Sequence, residues 1–217
     1  GLRYTPRDAH GYGTFTGQGG LAVLSRFPIR TEKVRDFSTL LWRDLPGANL
    51  PVRGADPFPS AEAHAVQRLS SVAHWAIPID VPGIGAITLL AWHGSTPVFD
   101  GPEDRNGKRG GDEARLWQLY LDGAFGIPGP NPVIAGQSNI DPAKGEGLHG
   151  VMRALLADPR LQVPPGTDAP TANWPQTGPM RASYVLPSAA LNVAGSGVSD
   201  PAPEASRHRI VWVDIAP

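Results

Sequence analysis

The stretch Pro132-Val133-Ile134-Ala135-Gly136-Gln137-Ser138-Asn139-Ile140-Asp141-Pro142 joins a short apolar run to a cluster of small and amide side chains. The Val/Ile run predicts an inner strand, and the Gly, Asn and Asp-Pro that follow predict where that strand ends. Gln137 and Asn139 are therefore expected at the carboxyl end of a strand. Such positions often carry function because a rigid scaffold aims the side chains.

Two other apolar runs meet polar residues in the same way. Residues 87–92 lead into His93, and a last strand over residues 210–213 is entered through the Arg-His-Arg segment 207–209. One polar strand end is ordinary in a globular protein. Three strand ends that converge would form a site.

Composition sets the outer bounds on the protein class. The 217 residues include 26 Gly and 24 Pro, which indicates a loop-rich globular protein. The net charge of −1 provides no global field for nucleic acid, so polyanion binding would need a local cluster. The chain has no Cys, which excludes disulfides and thiolate zinc sites. No apolar stretch approaches the length of a membrane span, so no membrane partner is predicted.

The hydrophobic periodicity predicts an α+β protein in which sheets dominate. Two hairpins are expected, one between the strands over 68–79 and 87–92, the other between those over 180–186 and 190–198. The predicted elements are strands over 21–29, 68–79, 87–92, 132–137, 180–186, 190–198 and 210–213, and helices over 112–123 and 148–158. The polar loop 93–107 between a strand and a helix is either functional or a solvated loop held by Asx turns.

Five segments, in order, resemble the endonuclease/exonuclease/phosphatase family of metal-dependent phosphoesterases, and more narrowly its bacterial, often exported members. They are Leu-Ser-Arg-Phe-Pro-Ile at 24–29, the loop 93–106, Gly-Gln-Ser-Asn-Ile-Asp-Pro at 136–142, Arg-Ala-Ser-Tyr-Val-Leu-Pro at 181–187 and Ser-Arg-His-Arg at 206–209. The resemblance implies a four-layer α/β/β/α sandwich of two mixed sheets with a site at one rim. Residues 1–217 would form the C-terminal two-thirds or so of the family domain, lacking its N-terminal strands. An upstream segment or a second chain is expected to complete the fold.

Three positions depart from the family pattern. Gln137 replaces an Asp that positions the attacking water, Ser183 replaces an Asp that orients the final His, and Arg207 replaces an acid on the metal side. Together these changes make the site about four charge units more positive than a standard family site. Hard cations prefer carboxylate oxygens, whereas Arg suits phosphate. The family implies Mg or Mn, but we predict weak or absent metal binding and assign no metal ligand.

The resemblance also implies roles for the residues that match. His208, Asn139, His93 and Gln137 form the predicted catalytic set, with His208 as acid, base or cationic clamp. The predicted substrate-binding and phosphate-binding set is Arg207, Asn106 and Ser183.

Two functions from different classes remain open. The first is a phosphoesterase-like hydrolase that acts on a phosphodiester or phosphomonoester, with activity reduced or lost. The alternative is a non-catalytic phosphate-binding, nucleotide-binding or scaffold member of the same family. The expected partners are a phosphate-ester small molecule or a nucleic acid. The resemblance alone suggests a periplasmic or secreted location.

Overall fold

The computed structural model describes Phe15 and residues 18–217. Its strands are β1 (Arg35–Asp36), β2 (Val52–Arg53), β3 (Asp56–Pro57), β4 (His74–Val81), β5 (Gly85–His93), β6 (Pro132–Gln137), β7 (Ala172–Trp174), β8 (Gly178–Met180), β9 (Ser183–Pro187), β10 (Asn192–Val198) and β11 (Val211–Ala216). Its α-helices are α1 (Ala61–Val66), α2 (Arg105–Leu121) and α3 (His149–Leu156). Among the described residues, no helix is both long and apolar enough to cross a membrane.

A five-stranded mixed sheet organises the protein, with strand order β1-β4-β5-β6-β9. Strands β5 and β6 are parallel, while β4 pairs antiparallel with β5 and β9 antiparallel with β6. The predicted hairpin between the strands over 68–79 and 87–92 is confirmed, since β4 and β5 pair from His74↔Trp92 to Val81↔Gly85. Gly83 and Gly85 adopt positive φ values of 82° and 94° in the turn, a conformation that glycine tolerates without strain.

Helices α2 and α3 cover one face of this sheet. Trp92, Leu90 and Ile134 are at most 1% exposed, and they form one core cluster with Trp117 of α2 and Met152 of α3. Complete burial of a large apolar side chain contributes about 1.5–3 kcal/mol, so this layer fixes the helices onto the sheet. The predicted helix over 148–158 is confirmed as α3.

Helix α2 begins at Arg105, earlier than the predicted helix over 112–123. Glycines at 107, 110 and 111 hide the start of the helix because they lower helix propensity. They also allow close approach: a Cβ on Gly110 would lie 3.1 Å from the Ser95 carbonyl oxygen, and one on Gly111 2.6 Å from Leu148. The first turns of α2 therefore lie against the loop that follows β5.

On the opposite face, residues 21–29 cover the sheet without forming a strand. Leu21, Val23 and Phe27 pack near Ile77 and Ile79, and the only ladder contact of the segment within the described chain is an isolated bridge from Ile29 to Ile79. The predicted strand over 21–29 is therefore wrong. Among the described residues, its backbone pairing with β4 is confined to its end, where the Pro28 carbonyl oxygen accepts the Asp80 N–H at 3.1 Å. The apolar alternation of the rest is satisfied by packing onto the sheet face.

The predicted hairpin between residues 180–186 and 190–198 is also wrong. β9 pairs with β6, and β10 pairs with β11 in a separate two-stranded sheet. The backbone N–H of Ser188 donates to the Pro132 carbonyl oxygen at 2.7 Å, so the end of β9 is tied to the start of β6 and does not turn back on itself.

The layers match the predicted class. The five-stranded sheet lies between a helical layer and the β10–β11 sheet. Two contacts place the β10–β11 sheet: β11 lies against β9, and Pro217 lies beside Gly83 in the β4–β5 turn. The α+β class with dominant sheets is confirmed. That N-terminal strands of the sandwich are missing from the chain stays a prediction.

Candidate functional site

The ends of three neighbouring strands bring three predicted site residues together. His93 is the last residue of β5, Gln137 the last of β6, and Ser183 the first of β9. The register pairs His93 with Gln137 and Gln137 with Ser183. Because adjacent strands lie about 4.8 Å apart and paired residues share a face, these side chains form a row at the rim of the sheet. We call His93, Gln137 and Ser183 the rim row.

Asn139 is linked to the rim row by a chain of amide hydrogen bonds. Gln137 Nε2 donates to Asn139 Oδ1 at 2.6 Å, and Asn139 Nδ2 donates to the Gly94 carbonyl oxygen at 2.8 Å. Asn139 adopts a left-handed backbone conformation with φ of 60°, which Asn tolerates better than most residues. These bonds connect the end of β6 to the residue that follows His93.

His208 approaches the rim row from the segment before β11. It forms a bridge with Ala172, and its ring packs edge-on against Trp174 at a centroid distance of 5.2 Å. Burial lowers the pKa of His208. Burial and, to a lesser extent, the charge of His208 lower the pKa of His93, so the two imidazoles lie within electrostatic reach of each other. The lowered pKa values favour the neutral form of both rings at pH 7.

The Nδ1 atom of His208 is buried. Within the part of the chain that the structure describes, it has no hydrogen-bond partner. Ser183 occupies the position at which the resemblance expects an orienting Asp, but no hydrogen bond joins its hydroxyl to His208. The backbone of Ser183 is held instead, because its N–H donates to Thr171 Oγ1 at 2.9 Å, an acceptor shared with the Ala182 N–H. The ring of His208 thus lacks the partner that would select its tautomer.

Arg207 lies on a different face from His208. The 207–209 segment runs antiparallel to residues 171–173, and successive side chains of an extended segment point to opposite sides. Arg207 is exposed and lines a groove of about 420 Å³ together with Asn173, Pro179 and Pro201. The structure therefore does not bring Arg207 to the rim row.

Asn106 forms its hydrogen bonds within its own loop. Its Nδ2 donates to the Val98 carbonyl oxygen at 2.8 Å, and its backbone N–H donates to Asp100 Oδ2 at 2.5 Å. This half of the loop is held by local bonds between side chains and backbone, as in the solvated-loop interpretation of the sequence. Phosphate binding by Asn106 and Arg207 stays a prediction.

The residues at the rim do not fit a Mg²⁺ or Mn²⁺ ion. The described residues contain no group of three His, Asp or Glu side chains that could hold a metal. The rim row offers an imidazole, an amide and a hydroxyl, whereas hard cations take carboxylate oxygens. The nearby carboxylate of Asp141 already accepts the backbone N–H groups of Ala143, Lys144 and Arg181.

Two residues that position the site were not found from the sequence. Thr171 fixes the start of β9 through its hydroxyl, and Glu113 accepts the backbone N–H groups of Ser71 and Ser95 on either side of the β5 end. A Thr in a Pro-rich loop carries no sequence signal for this role. The signal near Glu113 is the Gly110-Gly111 pair, which marks the close approach of α2 to the Ser95 loop.

Comparisons with known proteins agree with this fold. The sequence profile of the Endonuclease/Exonuclease/phosphatase family matches residues 1–208. An endonuclease/exonuclease/phosphatase from Beutenbergia cavernae superposes with a TM-score of 0.57 at 20% identity, over 88% of this chain and 46% of that protein. An endonuclease/exonuclease/phosphatase from Bacteroides vulgatus gives a TM-score of 0.52 at 11% identity, over 88% of this chain and 66% of that one.

At these identities the structural likeness shows the fold alone, and the chain spans about half the length of the Beutenbergia cavernae protein. No curated protein sequence matches the chain. The match to the family profile covers nearly all of its residues, including those of the rim row and His208. The chain therefore belongs to the Endonuclease/Exonuclease/phosphatase family.

Proposed function

We propose that the protein is a phosphoesterase-like hydrolase with reduced activity, acting on a phosphodiester or phosphomonoester. The observation that carries the proposal is the convergence of His93, Gln137 and Ser183 at one rim, within electrostatic reach of His208. Family membership supports the reaction class, since the family comprises endonucleases, exonucleases and phosphatases.

The rim provides hydrogen-bond donors for phosphoryl oxygens. Gln137 Nε2 and Asn139 Nδ2 each use one hydrogen within the protein, so each retains a second one. A neutral His93 adds a ring N–H. Donors fixed in place stabilise the charge that develops on phosphoryl oxygens as water attacks the phosphorus.

His208 is the group that moves the proton. As a neutral imidazole at pH 7 it accepts a proton from the attacking water. The departing alkoxide oxygen takes a proton from solvent water as the P–O bond breaks, and the imidazolium then releases its proton to solvent. The unpartnered Nδ1 means that no carboxylate stabilises the resulting imidazolium. This is the physical reason for expecting a slow reaction.

A non-catalytic phosphate-binding role is the second candidate, and one observation favours it. Gln137 takes the place of the family carboxylate, and its amide is hydrogen-bonded to Asn139. An amide cannot take a proton from water at neutral pH, so the water that an Asp would align has no base at this position. Phosphate binding requires only the donors and is unaffected by this loss.

Further aspects of the function are proposals of the same kind. The substrate is a small phosphate ester or a nucleic acid, divalent metal binds weakly, and the location is periplasmic or secreted by family resemblance.

A segment beyond these residues, or a second chain, completes the second sheet. The exposure of Leu24 (93%), Ile210 (71%) and Trp212 (43%) supports such a cover. Mass spectrometry and sedimentation of the purified material test it, and a stable monomer of only these 217 residues contradicts it.

The decisive assay compares hydrolysis of bis-p-nitrophenyl phosphate and p-nitrophenyl phosphate with Mg²⁺, Mn²⁺ or EDTA, alongside calorimetry with inorganic phosphate. His208→Gln is the test variant. His64→Gln is the matched control, because His64 is buried in helix α1 and bonded to the Phe58 carbonyl group. Slow hydrolysis that depends on His208 supports the hydrolase. Phosphate binding without hydrolysis supports the alternative, and the absence of both refutes the site.

A further inference from the structure

We propose that Glu113 is a positioning residue whose buried carboxylate holds the His93 end of β5 in the geometry that the rim row requires. This inference rests on the proposed function of the rim. Glu113 touches none of the rim side chains, so it acts through the backbone of its neighbours.

The carboxylate of Glu113 is completely buried and makes two short backbone contacts. The N–H of Ser71 donates to Oε1 and the N–H of Ser95 donates to Oε2, both at 2.5 Å. Burial raises the pKa of Glu113. Keeping a carboxyl group in such a place is costly unless its oxygens are bonded, which makes these two bonds indispensable to the local structure.

The two bonds flank the functional end of β5. Ser71 lies in the segment leading to β4, and its hydroxyl donates to the His93 carbonyl oxygen at 3.3 Å. Ser95 follows Gly94, whose carbonyl oxygen accepts the amide of Asn139. Glu113 therefore joins α2 to both sides of the segment that presents His93 and, through Gly94, to Asn139.

The close approach of α2 has a sequence basis. Gly110, one turn before Glu113, leaves room for the Ser95 carbonyl oxygen, which a Cβ at that position would meet at 3.1 Å. The helix thus lies near enough for a Glu side chain to reach two backbone N–H groups across the loop. A larger residue at position 110 would separate the two elements.

The next residue toward the N-terminus provides a natural control. Asp112 is 2% exposed and also accepts buried donors, from Trp42 Nε1 at 2.7 Å and the Asn49 N–H at 2.6 Å. These donors lie in the segment between β1 and β2, which contains none of the rim-row residues. Glu113 and Asp112 therefore both accept buried donors from one helix but hold different segments, and Asp112 also forms an ion pair with Arg115.

The experiment compares Glu113→Gln with Asp112→Asn. In Glu113→Gln an amide N–H₂ faces one of the two backbone N–H groups, because these bond to different carboxylate oxygens. In Asp112→Asn one oxygen still accepts both donors, which share Oδ2, but the ion pair with Arg115 is lost, so the urea denaturation midpoint should fall in both variants. Only Glu113→Gln should lower kcat/KM for the phosphate ester, or the affinity for inorganic phosphate if hydrolysis is absent, by about ten- to a hundredfold, as small displacements at an active site do. It should also shift the ring resonances of His93 in NMR spectra, whereas Asp112→Asn should leave them in place.

Ser71→Ala covers the case in which Glu113→Gln does not fold. It removes the hydroxyl, which bonds to the His93 carbonyl group and also interacts with the Glu113 carboxylate, and it keeps the N–H that Glu113 accepts. It should therefore shift the His93 ring resonances with little loss of stability. Equal effects of the two α2 variants on the site, or unchanged His93 resonances in the variants that fold, would overturn the proposal. If the wild-type protein binds no phosphate, the proposed function fails, while the His93 spectra still decide the role of Glu113.

Discussion

Replacing Thr171 by Val tests how the start of β9, and with it Ser183, is fixed at the rim. Thr171 is fully buried, and its hydroxyl accepts two backbone N–H groups, from Ala182 at 2.8 Å and from Ser183 at 2.9 Å. Val has nearly the same shape but accepts no hydrogen bond. Each buried donor left without a partner costs about 1–3 kcal/mol, so we expect the free energy of unfolding to fall by about 2–6 kcal/mol.

Urea denaturation followed by tryptophan fluorescence measures this loss. Thr171→Ser keeps the acceptor and loses one methyl group, which should cost about 1 kcal/mol. Thr167→Val is a second control, because Thr167 is equally buried but its hydroxyl only donates one bond, to the Pro164 carbonyl group. If Thr171→Val destabilises the protein no more than either control, the hydroxyl does not hold β9 as described.

Four further predictions concern the rim itself. In the folded protein, burial lowers the pKa of His93 and His208 below the value of about 6.5 for a free histidine. As the pH falls through about 6.5, the unfolded chain therefore binds more protons than the folded protein does. Their contribution to stability should therefore rise with pH up to about 7, and His208→Gln should flatten this slope in urea titrations. Ser183→Asp should give His208 Nδ1 an acceptor and raise the His208 pKa by about one unit or more in NMR titrations, whereas Ser183→Asn should not. Calorimetry should show no tight Mg²⁺ binding to the wild-type protein. Gln137→Asp combined with Ser183→Asp should add Mg²⁺-dependent diesterase activity of about 10²-fold, measured in a chain that includes any upstream segment. An inactive folded double variant would contradict the placement of these two positions.

The sequence was sufficient for the elements with strong local patterns. The β4–β5 hairpin follows from alternating apolar residues on both sides of a Gly-rich turn, and β6 from the Val/Ile run that ends at Gln137. The polar ends of these strands were therefore predictable. That His93 and Gln137 are direct neighbours depends on the parallel pairing of β5 with β6, which no local pattern specifies.

The errors arose where tertiary contacts outweigh local preference. Residues 21–29 have the alternation of a strand, but most of the segment packs on a sheet face, and its bonding to β4 is limited, among the described residues, to its last two positions. The turn after β9 is tied to Pro132, so β9 and β10 join different sheets. The alternation of an extended segment was enough to separate the side chain of Arg207 from that of His208. Which of the two faces the rim depends on the pairing of this segment with residues 171–173, which no local pattern specifies.

The most direct test of the central claim is an NMR titration of the isotope-labelled protein with inorganic phosphate. If the rim row binds phosphate, the resonances of His93, Gln137, Asn139 and His208 should shift together with one dissociation constant, while those of Asn173 in the Arg207 groove stay in place. Shifts confined to the Arg207 groove, or no shifts at all at saturating phosphate, would contradict the assignment of the rim as the functional site.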